Sequence, residues 1–240
     1  MSPPFIGLPC IKLKVKQLQH IYALSSHHHM LLKLMGSEKN PFGMFDEAIQ
    51  NEDDLLGYTI SNGKSSDTQS IYFDRLLISF WFKKYEEAAD MAEKYRSRVA
   101  LRFTDVYHAF YEGLTAFHLA RCSSDEAKWM EIGENALSKF RTWATQSKWN
   151  FENKLLLLEA EWHFSRKECK DATTKYGASI KSAQLHCFLH EEGLAMEKLG
   201  TFYKEHGDAT GAAEEFARAR DCYEKWGAFA LVNLLDKTHQ

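Results

Sequence analysis

Three consecutive histidines form a group whose residue type could do chemistry. His27, His28 and His29 lie side by side, and neutral imidazole is a common ligand of transition metals. Adjacent residues on a helix point about 100° apart, so the three rings cannot all face one ion. No acidic or cysteine cluster stands beside them. We therefore interpret them as structural or surface residues.

A second histidine pair has the spacing of a zinc motif. His186 and His190 are four residues apart, which on one helix would place both rings on one face, as in H-E-x-x-H. Residues 187–189 contain no glutamate to act as general base, and residues 188–190 could already belong to a turn. The pair therefore does not predict a metal site.

Two glutamates and one glycine-containing loop complete the chemical candidates. Glu159 and Glu161 are two residues apart, so on a helix they point to different faces and cannot easily share a substrate. Residues 57–65 have the form G-x-x-x-x-x-G-K-S, one residue longer than the P-loop spacing, and no plausible strand precedes them. The sequence therefore predicts no catalytic residue, no cofactor and no metal, and we expect that the protein is not an enzyme.

Charge, hydropathy and cysteine spacing limit the partners. The chain has 30 basic and 33 acidic residues among 240, a net charge of −3, so it has no excess of positive charge to follow a nucleic acid backbone. No stretch approaches the roughly 18 consecutive apolar residues of a membrane span, and the first residues do not resemble a signal peptide. The five cysteines are scattered and never spaced C-x-x-C. We expect a cytoplasmic protein with reduced thiols that binds neither nucleic acid nor membranes.

The sequence predicts that helices joined by short turns position the residues named above. All four prolines lie within the first 41 residues, so later helices can follow one another without a helix breaker. From about Ser65, apolar residues recur at spacings of three and four. Asn150 is a candidate N-cap, and residues 123–126 offer further N-cap candidates. The pattern predicts helices over about 67–83, 85–95, 104–121, 126–146, 151–164, 167–186, 191–205 and 209–226.

An internal repeat spans the second half of the chain. Small and aromatic residues recur in the same order at an interval of 40 residues. Ala160, Ala172, Tyr176 and Ser179 are matched by Gly200, Ala212, Phe216 and Ala219. Small residues at a helix crossing let two backbones approach, and an aromatic ring fills the layer between them. The repeat therefore predicts stacked helix pairs.

The later copy resembles the tetratricopeptide repeat. The residues that match its signature are Leu199, Gly200, Tyr203, Ala212, Phe216 and Ala219, while Glu224 stands in place of the usual terminal proline. The earlier copy keeps only the small and aromatic positions, and residues 85–88 match the start of a second helix. The resemblance implies an all-α fold, a right-handed superhelix of antiparallel helix pairs.

A narrower resemblance concerns the C-terminal end. Residues 188–203 and 219–228 look like the end of the helical array in very large signalling proteins, and residues 154–161 are similar to the first helix of that family's preceding pair. There, a Ser/Thr-kinase-like domain and an AAA-type ATPase domain precede the array, and sensor and histidine-kinase domains follow it. Leu231 stands where the family often has lysine. The resemblance, which covers roughly residues 65–236, implies a regulatory or partner-docking array.

Three segments follow from these patterns. Residues 1–64 form an N-terminal helical segment that could serve as an atypical capping repeat, residues 65–236 form the repeat array, and residues 237–240 form a tail. In residues 11–22, Ile11, Val15, Leu18 and Tyr22 fit one helical face. Residues 11–16 also alternate as a strand would, and we prefer the helix. Residues 45–58 are predicted to be helical and residues 61–66 to form a polar turn.

The expected function is that of a non-enzymatic protein-interaction or regulatory module. Its partners would be a protein, a peptide or other domains of a larger signalling protein; the alternative is a small-ligand-sensing helical domain that controls an attached catalytic domain. First helices of tetratricopeptide arrays line a concave groove, and the resemblance places Lys154, Glu161, Glu197, Thr201 and Lys204 toward it. This mixed charge suits a peptide of both signs. The residues expected to pack the repeats are Ala160, Ala172, Tyr176, Leu199, Gly200, Tyr203, Ala212, Phe216 and Ala219.

Overall fold

The computed structural model describes residues 21–40, 42, 49–95 and 103–238. Across these residues the chain forms α-helices joined by turns, without any strand. The helices are α1 (Ile21–Leu34), α2 (Glu52–Ser61), α3 (Ser65–Trp81), α4 (Tyr85–Lys94), α5 (Phe103–Cys122), α6 (Glu126–Gln146), α7 (Lys148–Ser165), α8 (Cys169–Leu185), α9 (Leu189–Glu205), α10 (Ala209–Trp226) and α11 (Phe229–Thr238). The predicted all-α class is confirmed for this part of the chain.

The helices pack in adjacent pairs. α3 packs on α4, α5 on α6, α7 on α8 and α9 on α10, and the pairs then stack through α6 on α7 and α8 on α9. Large side chains such as Phe110, Phe140, Tyr176 and Tyr223 are fully buried between them. Because each pair is joined by a short turn, its two helices run antiparallel.

One type of turn joins most of the helices. Five three-residue turns have a middle residue with left-handed backbone: Gly63 (φ 63°), Lys83 (φ 63°), Lys167 (φ 62°), Cys187 (φ 60°) and Gly207 (φ 80°). In each turn the following N–H donates to a carbonyl five residues earlier, as Asp208 does to Tyr203 at 2.9 Å. This is the closing bond of a Schellman motif. Glycine occupies two of the five left-handed positions, so the other three are strained.

Several helix boundaries differ from the predicted ones. α3 begins at Ser65, α7 at Lys148 and α9 at Leu189, in each case before the predicted start. Asn150 is not an N-cap, because Ser147 alone separates α6 from α7 and Asn150 already lies in the first turn of α7. Its Nδ2 instead donates to Ser147 Oγ at 2.9 Å. Asp125 does cap α6, since its carboxylate accepts from the Lys128 N–H at 3.3 Å.

The N-terminal predictions fall partly outside the described residues. Of the helix predicted over residues 11–22, the structure describes only its last two positions, where α1 begins at Ile21. Of the helix predicted over residues 45–58, positions 45–48 lie outside the description and 49–51 are not helical. α2 begins later because Asn51 Oδ1 caps it, accepting from the N–H groups of Asp53 and Asp54 at 2.9 Å each. The predicted polar turn is shorter, because Ser61 belongs to α2 and Ser65 to α3.

The first and last helices of the described chain meet. α1 packs on α3 and also contacts α11. The Trp81 ring of α3 lies against Tyr223 and Trp226 of α10, with ring centroids 5.8 and 5.6 Å apart. Lys83, which follows α3, lies with its Nζ 2.5 Å from Glu197 Oε1 of α9. The helix pairs are therefore a closed arrangement in which the first pair contacts the last.

Candidate functional site

Three of the five residues predicted to face a groove are buried. Lys154, Glu161 and Glu197 expose 3%, 0% and 5% of their surface. The first helices of successive pairs pack directly on one another, α5 on α7 and α7 on α9, so these charges meet charges on neighbouring helices. A partner could reach Lys154 or Glu161 only if the helices separated.

Glu161 on α7 is held from two sides. Arg121 of α5 lies with its Nη2 2.8 Å from Glu161 Oε2, and the Tyr176 hydroxyl of α8 donates to Oε1 at 2.5 Å. Burial acts to raise the pKa of this carboxyl, but the charges of Arg121 and Lys198 and the hydrogen bond from Tyr176 outweigh it and lower the pKa to about 2. Glu161 is therefore an ionised, fully paired group in the interior.

Glu197 on α9 has the same arrangement with other partners. Lys83 supplies the cation, and the Tyr223 hydroxyl of α10 donates to Glu197 Oε2 at 2.6 Å. Burial acts to raise the pKa of Glu197, and Lys83 and Tyr223 lower it below its ordinary value. Burial and the nearby carboxylate raise the pKa of Tyr223 well above its ordinary value. Both tyrosine hydroxyls therefore stay protonated and serve as donors.

Lys154 pairs with a glutamate that the sequence analysis did not single out. Its Nζ lies 2.8 Å from the carboxylate of Glu191 on α9 and donates to the Asn150 carbonyl at 3.0 Å. Asn153 also donates to Glu191. This cluster joins α7 to α9 through buried charge.

Glu197, Thr201 and Lys204 line one cavity of about 390 Å³. Its walls come from the turn after α3, the start of α4, the end of α5, and from α9 and α11. Lys204 is exposed and Thr201 half-buried, so the cavity reaches the surface along α9. The structure thus brings three of the five predicted groove residues together, and places Lys154 and Glu161 behind them in the interior.

One residue in the cavity lining is a neutral histidine. His118 of α5 stacks on Tyr85 of α4 with ring centroids 3.8 Å apart, and both line the cavity. Burial, followed by the charges of Lys198 and Arg121, lowers the pKa of His118 to about 3. The imidazole is therefore neutral at pH 7.

The sequence analysis missed Arg121, His118 and Lys198. They come from α5 and α9, which are about 80 residues apart along the chain. No local spacing marks them, because they come together only through packing of helices that are distant along the chain. The one available signal is that Lys198 follows Glu197 on a helix with few exposed positions.

The predicted packing residues lie between the helices of the last two pairs. Ala160, Ala172 and Tyr176 are fully buried, and Leu199, Ala212, Phe216 and Ala219 expose at most 7%. Tyr203 is half-buried. A Cβ atom placed on Gly200 would lie 2.8 Å from the Phe216 ring, so α9 and α10 approach each other closely at this point.

The histidine candidates do not converge. His27 Nδ1 contacts the buried Asp74 at 2.5 Å, His29 packs on Phe42, and His28 is exposed. His186 lies in the turn before α9 and His190 within α9, so they do not share one helix face.

Another histidine has metal-ligating neighbours. His163, Glu168 and Asp171 bring their possible ligand atoms within 4.8 Å of one another. His163 Nδ1 and Arg166 Nε already contact the Glu168 carboxylate, at 2.6 and 2.9 Å. The group is thus an ion-pair cluster, and we assign no metal to it.

Comparison of the chain with protein-family models, with curated proteins and with solved structures finds no match. Among the described helices, none is long and apolar enough to cross a bilayer. The resemblance to tetratricopeptide arrays therefore depends on the residues already named.

Proposed function

We propose that the chain is a non-enzymatic interaction and regulatory module, built as a tetratricopeptide-like right-handed superhelix. The observation that supports this proposal best is the cavity along α9, where Thr201 and Lys204 meet solvent beside the buried Glu197. Helix pairs stacked in series hold these side chains on rigid elements. A protein or peptide partner would contact the outer rim of the cavity.

The charges at the rim fit a partner segment that carries both positive and negative side chains. Lys204 and Glu205 are exposed neighbours at the end of α9, and Leu234 and Leu235 of α11 supply apolar surface on the opposite wall. Polar contacts around an apolar anchor are typical of peptide recognition. The resemblance to large ATPase and kinase signalling proteins supports placing the module in such a system, and sequencing the DNA on both sides of this chain tests that placement.

Selection from a random peptide library tests the proposed rim. Peptides selected on the wild-type protein should bind Lys204→Glu about tenfold more weakly, because the substitution reverses the charge of an exposed contact. Lys181→Glu, an exposed position on α8, is the matched control and should bind like wild type. Equal binding by all three proteins would contradict the assignment of the rim.

A second candidate function is small-ligand sensing that controls an attached catalytic domain. The cavity favours it, because its walls come from both the first and the last helix pairs, so an occupant would contact both at once. A ligand that binds only the folded protein raises its unfolding temperature. A metabolite screen that shows no thermal shift would count against this candidate.

A further inference from the structure

Lys198 is a buried amine without a carboxylate partner. It exposes 4% of its surface and lines the cavity. Its Nζ makes a long hydrogen bond of 3.4 Å to the Tyr85 hydroxyl, and lies 5.4 and 5.1 Å from the ring centroids of Phe80 and Tyr85. Nowhere in the described part of the chain does an acidic group come within ion-pair distance of it.

The nearest carboxylates are already engaged. Glu161 is paired with Arg121, and Glu197 is paired with Lys83, each with a tyrosine hydroxyl as a further donor. An ammonium group has three N–H donors, and Lys198 uses one of them in a long bond. A buried charge without its own counter-charge is costly.

The charges at the inner end of the cavity leave one positive charge in excess. The cations there are Lys83, Arg121 and Lys198. The carboxylates are Glu197 in the lining and Glu161, which pairs with Arg121, so three cations face two acids. One anionic group in the cavity would balance them.

Part of the cavity lining is apolar. Leu234 and Leu235 of α11 and the Tyr85 ring face the same space. A volume of about 390 Å³ lies at the lower end of the range for small-molecule sites. The cavity therefore has room for a ligand with a charged end and an apolar end, but for little more.

We propose that this cavity binds a small organic anion, through a phosphate or carboxylate group that contacts Lys198 and an apolar body that packs on Leu234 and Leu235. The proposal deepens the candidate function of ligand sensing by naming the ligand class, and it does not depend on the binding of a protein partner. Binding would give Lys198 the counter-charge that the chain itself does not supply.

Calorimetric titration with two simple anions tests this site. The probes are phenyl phosphate and benzoate, with phenol as the neutral control. The structure predicts saturable binding of at least one anion below about 10 mM, and no saturable binding of phenol. If neither anion binds saturably, or if phenol binds as well as the anions do, the proposal is overturned.

Two variants locate the contact. Lys198→Met keeps the length of the side chain and removes its charge, and should weaken anion binding at least about tenfold. Lys181→Met is the matched control, because Lys181 is exposed on α8 outside the cavity, and should bind like wild type. Equal affinity of wild type and Lys198→Met would contradict the assignment.

The wild-type protein gives an independent readout if Lys198→Met does not fold. His118 lines the same cavity, and an anion beside it would raise its pKa. The His118 ring signals in NMR should therefore shift on titration with the anion and titrate at higher pH in the complex. Unchanged His118 signals at saturation would place the anion elsewhere. Peptide capture through Lys204 is a separate measurement, so either proposal can fail alone.

Discussion

At the scale of single residues, two buried carboxylates, Glu161 and Glu197, organise the contacts between helix pairs. Glu161 and Glu197 each combine one cation with one tyrosine hydroxyl. Removing one member of such a set leaves an unpaired buried charge, which costs far more than the intact pair contributes. These sets therefore act mainly by specifying which helix faces meet.

Acid should destabilise the fold through Glu161. Its pKa is about 2 in the folded protein against an ordinary value of 4.5, so between these pH values the unfolded chain binds more protons. The stabilisation is complete above about pH 4.5 and is lost as the pH falls toward 2. We expect Glu161 to contribute about 3 kcal/mol to this loss, measured by urea unfolding at successive pH values.

Two variants show how much of this acid dependence of stability comes from Glu161 and how much from other carboxylates. Glu161→Gln should be less stable at pH 7 by about 3 kcal/mol, because Arg121 loses its counter-charge, and should lose less stability than wild type on acidification. Glu214→Gln, exposed on α10, should follow the wild-type curve. An acid dependence unaffected by Glu161→Gln would contradict this account.

Gly200 marks a helix crossing that can be tested directly. Gly200→Ala places a Cβ 2.8 Å from the Phe216 ring and should lower the free energy of unfolding by about 1 to 3 kcal/mol. Gly177→Ala is the control, because a Cβ there meets no atom within 4 Å and the helix gains about 0.5 to 1 kcal/mol from the better helix former. Equal effects of both substitutions in urea unfolding would rule out the close approach of α9 and α10.

The sequence indicates some of these residues but not their partners. Ala172 and Phe216 could be singled out because small and aromatic residues recur at a fixed interval. The resemblance places Glu161 toward a groove, whereas the structure buries it against Arg121. Arg121 lies 40 residues earlier and reaches Glu161 through packing of α5 on α7. Side chains that meet across helix pairs leave no local spacing to detect.

At the scale of elements, the repeated turn sets the distance between successive helices. The left-handed residue is Gly63, Lys83, Lys167, Cys187 or Gly207, and a Schellman bond closes each turn. An L-residue in this conformation costs about 1 kcal/mol or more relative to glycine. The turn is therefore maintained by packing of the helices on both sides.

Turn substitutions should change stability in opposite directions. Lys167→Gly should raise the free energy of unfolding by up to about 1 kcal/mol, because Lys167 is exposed and glycine relieves the strain. Gly207→Ala should lower it by about 1 kcal/mol through its φ of 80° alone, since a Cβ there meets no atom within 4 Å. Thermal unfolding of both variants checks these two predictions. A change in stability in the same direction for both variants would contradict the shared turn geometry.

Helix existence could be predicted from the sequence better than helix ends. The spacing of apolar residues predicts α3 to α10, because each buries one face against its neighbours. The ends differ where capping depends on the chain path: Ser147 alone separates α6 from α7, so Asn150 falls inside the helix that it was expected to cap. Nothing in the local pattern distinguishes a one-residue break from a longer one.

At the scale of the whole molecule, the contact between the first and last helix pairs decides which surfaces are available. Trp81 of α3 packs on Tyr223 and Trp226 of α10, and Lys83 pairs with Glu197. An open row of repeats has contacts only between neighbours. Here the ends are in contact, and the cavity lies where they meet.

Removing a side chain of α10 should therefore increase amide hydrogen exchange in α3. Trp226→Ala should increase amide hydrogen exchange at the end of α3 as well as in α10, because it removes the ring packed on Trp81. Trp149→Ala is the control: Trp149 is 59% exposed and stacks on His186, so α3 should exchange as in wild type. If Trp226→Ala affects α9 to α11 alone, the ends do not pack as described.

A double-mutant cycle on Lys83 and Glu197 tests the closed arrangement most directly, because these residues join the first helix pair to the last. The coupling free energy is obtained from urea unfolding of four proteins: wild type, Lys83→Met, Glu197→Gln and the double variant. The closed arrangement predicts about 1 kcal/mol or more, whereas the exposed pair Asp90 and Lys94 within α4 should give about 0.5 kcal/mol or less. A coupling between Lys83 and Glu197 that is indistinguishable from zero would contradict the contact, and with it the cavity.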